Sequence, residues 1–137
     1  MSVPAITIYA DEPLHRVEEK MRVNGIRHLP VLDRRERVVG VITQRDLYRT
    51  LSPRPTEDGA IYVPELLDEF ILEKVMTPDP TVLGPEDAIG DAIRIMAYQR
   101  YGCIPVVDGE KRVLGIVTQP DVLKYVASLL DARGGLL

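Results

Sequence analysis

A gapless internal repeat constrains this 137-residue chain more than any other feature. Slid along itself by 75 positions, residues 29–46 lie over residues 104–121 with nine of 18 positions identical. The identical pairs are Pro30/Pro105, Val31/Val106, Asp33/Asp108, Arg37/Arg112, Val38/Val113, Gly40/Gly115, Thr43/Thr118, Gln44/Gln119 and Asp46/Asp121. Most of the other pairs exchange one aliphatic residue for another, and the register extends upstream through Asp11/Glu86, Glu12/Asp87 and Met21/Met96. Self-similarity at a fixed period signals a duplicated supersecondary unit. The chain therefore reads as repeat 1 over residues 1–51, a linker with a short helix over 52–74, repeat 2 over 75–130, and a flexible tail over 131–137.

Each copy carries the pattern strand, helix, hairpin, helix. Short apolar or β-branched runs predict first strands at 6–9 and 81–83. Leu14, Val17 and Met21 recur three and four apart, as do Ile89, Ala92, Ile93 and Met96, which predicts one apolar stripe on each following helix. Both methionines belong to the expected core. Gly25 is expected to end the first of these helices in the left-handed conformation, and Gly102 the second. Strands at 29–32 and 38–42, and again at 104–107 and 113–117, flank the polar connectors D-R-R-E-R and D-G-E-K-R, which suit hairpin turns. A closing helix follows Thr43 and Thr118, the second with a stripe of Val122, Leu123, Val126, Leu129 and Leu130. Pro53 and Pro55 forbid helix continuation beyond Leu51. Pro64 suits the first turn of a helix over 64–76, whose Leu66, Leu67, Phe70 and Ile71 form an apolar face that covers the core or fills a partner's groove.

Composition narrows the function. With 45% hydrophobic and 28% charged residues the chain has a globular balance. No apolar run approaches the roughly 20 residues needed to cross a bilayer, and the first residues lack a secretory layout. A soluble, cytoplasmic protein without membrane association is expected. One cysteine, Cys103, and two histidines, His15 and His28, cannot build a disulfide framework or a His/Cys metal cluster. Neither a nucleophile–base pair with an orienting acid nor a Gly-rich phosphate loop is present, so no catalytic residues are expected and the chain is read as no enzyme. The net charge of −4 disfavours nucleic acid as a partner. The charge is uneven, with 9 basic against 7 acidic residues up to residue 51 and 8 against 14 beyond it. Arg22, Arg27, Arg34, Arg35, Arg37, Arg45 and Arg49 crowd into the first part, either as a solvated face or as forks for phosphate or carboxylate.

The repeated Gly-aliphatic-aliphatic-Thr-Gln-x-Asp places a strand directly before a helix with a hydroxyl and a carboxylate in its first turn. Two readings stand side by side. Thr43 with Asp46, and Thr118 with Asp121, could form capping boxes worth about 1 kcal/mol each. Alternatively the helix N-terminus and the Thr hydroxyl receive a phosphate while the carboxylate accepts ribose hydroxyls, and the two roles can coexist.

With I-R-H-L-P-V-L-D and G-C-I-P-V-V-D, each followed by V-x-G-V-I-T-Q-R-D or V-L-G-I-V-T-Q-P-D, and with V-M-T-P-D-P-T-V before copy two, the chain resembles tandem cystathionine-β-synthase (CBS) domains. Such a pair is a Bateman module, here similar to the small stand-alone bacterial and archaeal proteins. The resemblance implies an α+β fold of two βαββα repeats related by a pseudo-twofold axis, paired again into a homodimer. It implies a regulatory module that binds AMP, ADP, ATP or S-adenosylmethionine in clefts between the repeats, with magnesium as a companion of a polyphosphate, and that signals to an effector protein still unknown. Carried over by position, Asp46 and Asp121 would hold ribose, and Thr43 and Thr118 would contact phosphate or ribose. His28 with Leu29, and Cys103 with Ile104, would line the base pocket. Met76 and Thr77 would contact the nucleoside, and Arg45 would reach a phosphate.

Two departures bear on the expectation. Pro120 stands where copy one has Arg45, so the sites should be unequal, with the Arg45 site the better one for phosphate. Copy one also lacks a counterpart of V-M-T-P. His28 otherwise reads as a hydrogen-bonded pocket or core residue and Cys103 as a small buried hydrophobe. The competing function is a constitutive dimerisation scaffold whose T-x-x-D motifs serve only as caps.

Overall fold

A computed structural model of the chain describes residues 5–51, 55–56, 59–60 and 64–134. They fall into two compact units, one from residue 5 to residue 80 and one from residue 81 onward. The first contains β1 (Ile8–Tyr9), α1 (Leu14–Asn24), β2 (His28–Leu32), β3 (Val38–Thr43) and α2 (Gln44–Leu51). A small ladder of β4 (Pro55–Thr56) with β5 (Gly59–Ala60), a 3-10 helix (Pro64–Glu69), α3 (Leu72–Val75) and β6 (Thr77–Pro78) complete it. Its main sheet runs β1-β2-β3-β6, with β1 parallel to β2 and the other pairs antiparallel. The second unit contains α4 (Ile89–Gln99), the antiparallel pair β7 (Cys103–Val107) and β8 (Val113–Thr118), and α5 (Gln119–Ala132). The α+β class is as the resemblance implies and the tandem strand–helix–hairpin–helix units are as the repeat predicts, and α1, β2 and β3 recur 75 positions later as α4, β7 and β8.

The apolar stripes do what their spacing requires. Leu14, Val17 and Met21 of α1 enter a core with Ile8, Leu29, Val31 and Ile42, and Ala92 and Met96 of α4 meet Ile104, Val106 and Val117. Burying one such Leu, Ile or Val contributes about 1.5–3 kcal/mol. The expected strand at 6–9 shortens to Ile8–Tyr9, the residues paired with Val31 and Leu32. The expected strand at 81–83 shrinks to Leu83, bridged to Val106 between Pro80 and Pro85, neither of which has an N–H to donate.

Each hairpin is closed by an aspartate. Asp33 accepts the backbone N–H of Arg35 at 2.9 Å and of Arg37 at 3.0 Å, and Asp108 accepts those of Glu110 at 2.8 Å and Arg112 at 2.9 Å. Arg37 and Arg112 add Nε–H bonds of 2.8 and 3.0 Å to the same carboxylates. The matched residues Glu36 and Lys111 take φ of 64° and 63°, and a bulge between Val31 and Leu32 recurs between Val106 and Val107.

Gly25 ends α1 in the left-handed region, as expected. Gly102 does not do this for α4. Arg100, the residue 75 positions after Gly25, takes φ of 60° instead, because the second helix stops at the same step of the repeat. The helix expected over 64–76 is two pieces, broken at an extended Ile71. Leu67 and Leu72 both enter the first core, and at five positions apart they would point about 140° from each other on one straight α-helix. The break lets both be buried, while Phe70 and Ile71 stay 40% and 60% exposed. α5 runs through Ala132 with no fully buried side chain: Val122 packs partly buried against the second core, whereas Leu123, Val126 and Leu129 are exposed, Leu123 by 67%.

Gly25→Ala should lower stability by about 1 kcal/mol, the left-handed penalty for an L residue, and Arg100→Gly should raise the urea midpoint. A lower midpoint for Arg100→Gly would show that the exposed Arg side chain holds α4 in place. Backbone N–H bonds, foremost those of Arg37 and Arg112, hold the Asp33 and Asp108 carboxyls below their ordinary value of 3.8. Their stabilising effect is full above that pH and is lost as pH falls through the lower folded-state values. Asp33→Asn with Asp108→Asn should flatten this acid limb of stability; an unchanged limb would refute the assignment.

Candidate functional site

The pairing of β2 with β3 sets His28 directly across from Thr43, and α2 starts at the next residue. The Thr43 N–H donates to Asp46 Oδ2 at 2.9 Å, and the Asp46 N–H donates to Thr43 Oγ1 at 3.1 Å. This is a reciprocal capping box. The Gln44 N–H donates to the Arg27 carbonyl at 2.9 Å, which ties the first turn of α2 to the residue before His28. Asp46 Oδ1 makes no hydrogen bond among the described residues, so one oxygen holds the backbone and the other is available.

The second unit repeats the arrangement with different side chains. Cys103 lies across from Thr118, and the Gln119 N–H donates to the Gly102 carbonyl at 3.3 Å. Asp121 Oδ2 accepts from the Thr118 N–H at 2.8 Å and from Thr118 Oγ1 at 3.0 Å. Asp121 Oδ1 again has no partner among the described residues. All four Thr and Asp side chains are partly buried.

The alternation of the strands separates the expected base-pocket residues. Leu29 and Ile104 are fully buried in the two cores, so at this junction they offer backbone. His28 is half-buried and Cys103 is buried. Met76 and Thr77 approach the first junction from the other edge of β3, where Thr77 pairs with Val41 and Pro78 with Gly40. Met76 Sδ occupies the space that a Cβ on Gly40 would need, and the Thr77 carbonyl lies 3.0 Å from that position, so a larger residue there would have to displace the Met76 side chain. The V-M-T-P segment, which the repeat assigns to the start of copy two, thus completes the sheet of the first unit. Its place has no periodic signal; the tight Gly40 is its structural counterpart.

Charge differs between the junctions. Of the crowded arginines, Arg22 pairs with Glu18 at 3.1 Å, Arg34 with Asp11 at 2.8 Å and Arg37 with Asp33 at 2.8 Å. Arg27 and Arg45 are exposed and form no ion pair among the described residues. Burial, chiefly, and then Arg27 push the His28 imidazole below its ordinary value of 6.5; Asp46 opposes and Arg45 adds to the shift. Sequence reasoning singled out Arg45 and left Arg27 within the general basic run. Its signal is its position immediately before the strand residue that faces Thr43.

Among the described residues no three His, Cys, Asp or Glu side chains gather into a group that could hold a metal ion. No helix among them is long and apolar enough to cross a membrane.

The CBS domain model matches residues 1–53 and 72–128. The chain belongs to the CBS domain family. A CBS domain-containing protein of Dictyostelium discoideum is 30% identical over 135 residues, covering 96% of this chain and 90% of that protein. The inosine-5′-monophosphate dehydrogenase of Korarchaeum cryptofilum is 32% identical over 117 residues, and there the CBS chain spans 85% of its own length but 21% of the enzyme's. A solved CBS domain pair in complex with 5′-methylthioadenosine and S-adenosyl-L-methionine superposes with a TM-score of 0.79 at 23% identity, over 94% of this chain and 93% of that one. CBSX2 in complex with AMP gives 0.73 at 20% identity, over 92% and 90%. At these identities the likeness to the two structures is one of fold.

Because the His28 proton affinity is lowered on folding, neutral His28 contributes stability that is complete above pH 6.5 and is lost as pH falls from there through the folded-state value. His28→Gln should remove that portion of the pH dependence, read as the difference between the two urea-midpoint profiles. Parallel profiles would show that His28 titrates normally.

Proposed function

We propose that this CBS pair is a non-catalytic, cytoplasmic regulatory module that binds an adenosyl ligand, AMP, ADP, ATP or S-adenosylmethionine, at its two strand–helix junctions. The observation that carries the reading is the half-used carboxylate, present twice. Asp46 and Asp121 each spend Oδ2 on the cap and keep Oδ1 beside a helix N-terminus. A ribose needs an acceptor of this kind, and a phosphate is favoured by the positive end of the helix dipole. The AMP and S-adenosylmethionine held by structural relatives support the same ligand class. Magnesium would enter only as the companion of a polyphosphate.

Output would pass through a homodimer or an effector protein. Support comes from α5, whose Leu123, Tyr125, Val126 and Leu129 leave an apolar face uncovered on a helix with no buried residue. The scaffold reading keeps one observation in its favour, namely that both T-x-x-D motifs are already engaged as caps.

Thermal unfolding against AMP, ADP, ATP, S-adenosylmethionine and a GMP control, with and without magnesium, tests the proposal. A ligand present at 100 times its Kd should add about 2.7 kcal/mol, a rise of several degrees in Tm. Asp46→Ala or Asp121→Ala should lower the ligand-free stability by about 1 kcal/mol through the lost cap and also abolish the ligand-induced rise at the affected junction. No rise with any adenosyl ligand would leave the scaffold reading in its place.

A further inference from the structure

The two junctions share one backbone and differ in charge. The carbonyls of Arg27 and Gly102 both accept from the first N–H of the following helix. His28 and Cys103 both face the motif threonine across the hairpin. Arg45 and Pro120 both stand between the motif threonine and aspartate. At these three matched positions the first unit carries two permanent cations and an imidazole, whereas the second carries glycine, a buried thiol and proline. Lys124 and its counterpart Arg49 put a cation on both helices, so they do not distinguish the junctions.

We propose that the module sorts adenosyl ligands by charge: the Asp46 junction takes a ligand bearing phosphate, and the Asp121 junction takes one without it. This rests on the adenosyl-binding reading above. Each junction offers a ribose acceptor in Oδ1 of its aspartate, so both can hold a nucleoside. Of the matched positions, only those of the first junction supply cations for a phosphate: Arg27 and Arg45 are exposed and unpaired among the described residues and therefore have their guanidinium donors available. Their field reaches the junction, since both act on the neighbouring imidazole. A phosphate placed beside Cys103 would lose water without gaining a cation at any of the matched positions, which is costly for a charged group. A thioether or sulfonium substituent on the 5′-carbon needs no such compensation.

Isothermal titration with AMP and with 5′-methylthioadenosine separates the possibilities, each ligand alone and in the presence of the other. Both share adenosine and differ in the phosphate. The expected result is one equivalent of each with no mutual displacement. Asp46→Asn should remove AMP binding alone, and Asp121→Asn should remove methylthioadenosine binding alone; asparagine keeps an acceptor for the cap, and ligand-free unfolding verifies the fold. Arg27→Gln with Arg45→Gln should weaken AMP at least about tenfold, the scale of a lost charge-assisted contact, and leave methylthioadenosine unchanged. The AMP affinity alone should fall with added salt. Competition of the two ligands for one junction, or equal losses of both in the double arginine variant, would overturn charge sorting while adenosyl binding stands. Absence of binding by either ligand would overturn both.

Discussion

The Asp33 and Asp108 carboxylates hold the register on which each unit depends. Antiparallel strands can slip, and a slip of one residue would send Leu29 and Val31 to the opposite face and break the core they share with α1. By accepting two backbone N–H groups apiece, these aspartates fix the length of the connection, and the left-handed residues Glu36 and Lys111 and the bulges follow from it. With register fixed at one end of the hairpin, the other end is fixed as well. His28 must then face Thr43, and Cys103 must face Thr118. The junction is therefore assembled by an interaction at the far end of the same two strands.

The junction itself shows how a capping role leaves part of a side chain unused. A capping aspartate is held in place by the backbone it caps, so its second oxygen arrives oriented and loses little freedom when it accepts a further hydrogen bond. Thr43 uses its hydroxyl as an acceptor for the Asp46 N–H, whereas the Thr118 hydroxyl donates to the Asp121 carboxylate. A ligand bound at the other oxygen, as proposed, would not compete with the cap for a lone pair.

Much of this was legible in the sequence. The 75-residue period placed both hairpins, both motif helices and the α1 and α4 stripes, because duplicated residues face duplicated surroundings. Where reading by residue type departed from the period, the period was the better guide: Gly102 suits a left-handed cap by chemistry, yet Arg100 occupies the step that Gly25 occupies in the first copy. The linker escaped for a different reason. Its amphipathic pattern fits one helix, but the positions of Leu67 and Leu72 in the first core require a break that only the three-dimensional core imposes. Arg27 escaped because a basic run carries no mark of which members already have carboxylate partners.

The pairing of Thr77 and Pro78 with β3 means that the duplicated cassette and the folding unit are out of phase. A genetic boundary drawn at the start of the second repeat would cut through a hydrogen-bonded sheet. Half of the gene would then encode a protein with an unprotected strand edge, open to pairing with other chains. The two halves are therefore poor candidates for separation or shuffling at the repeat junction.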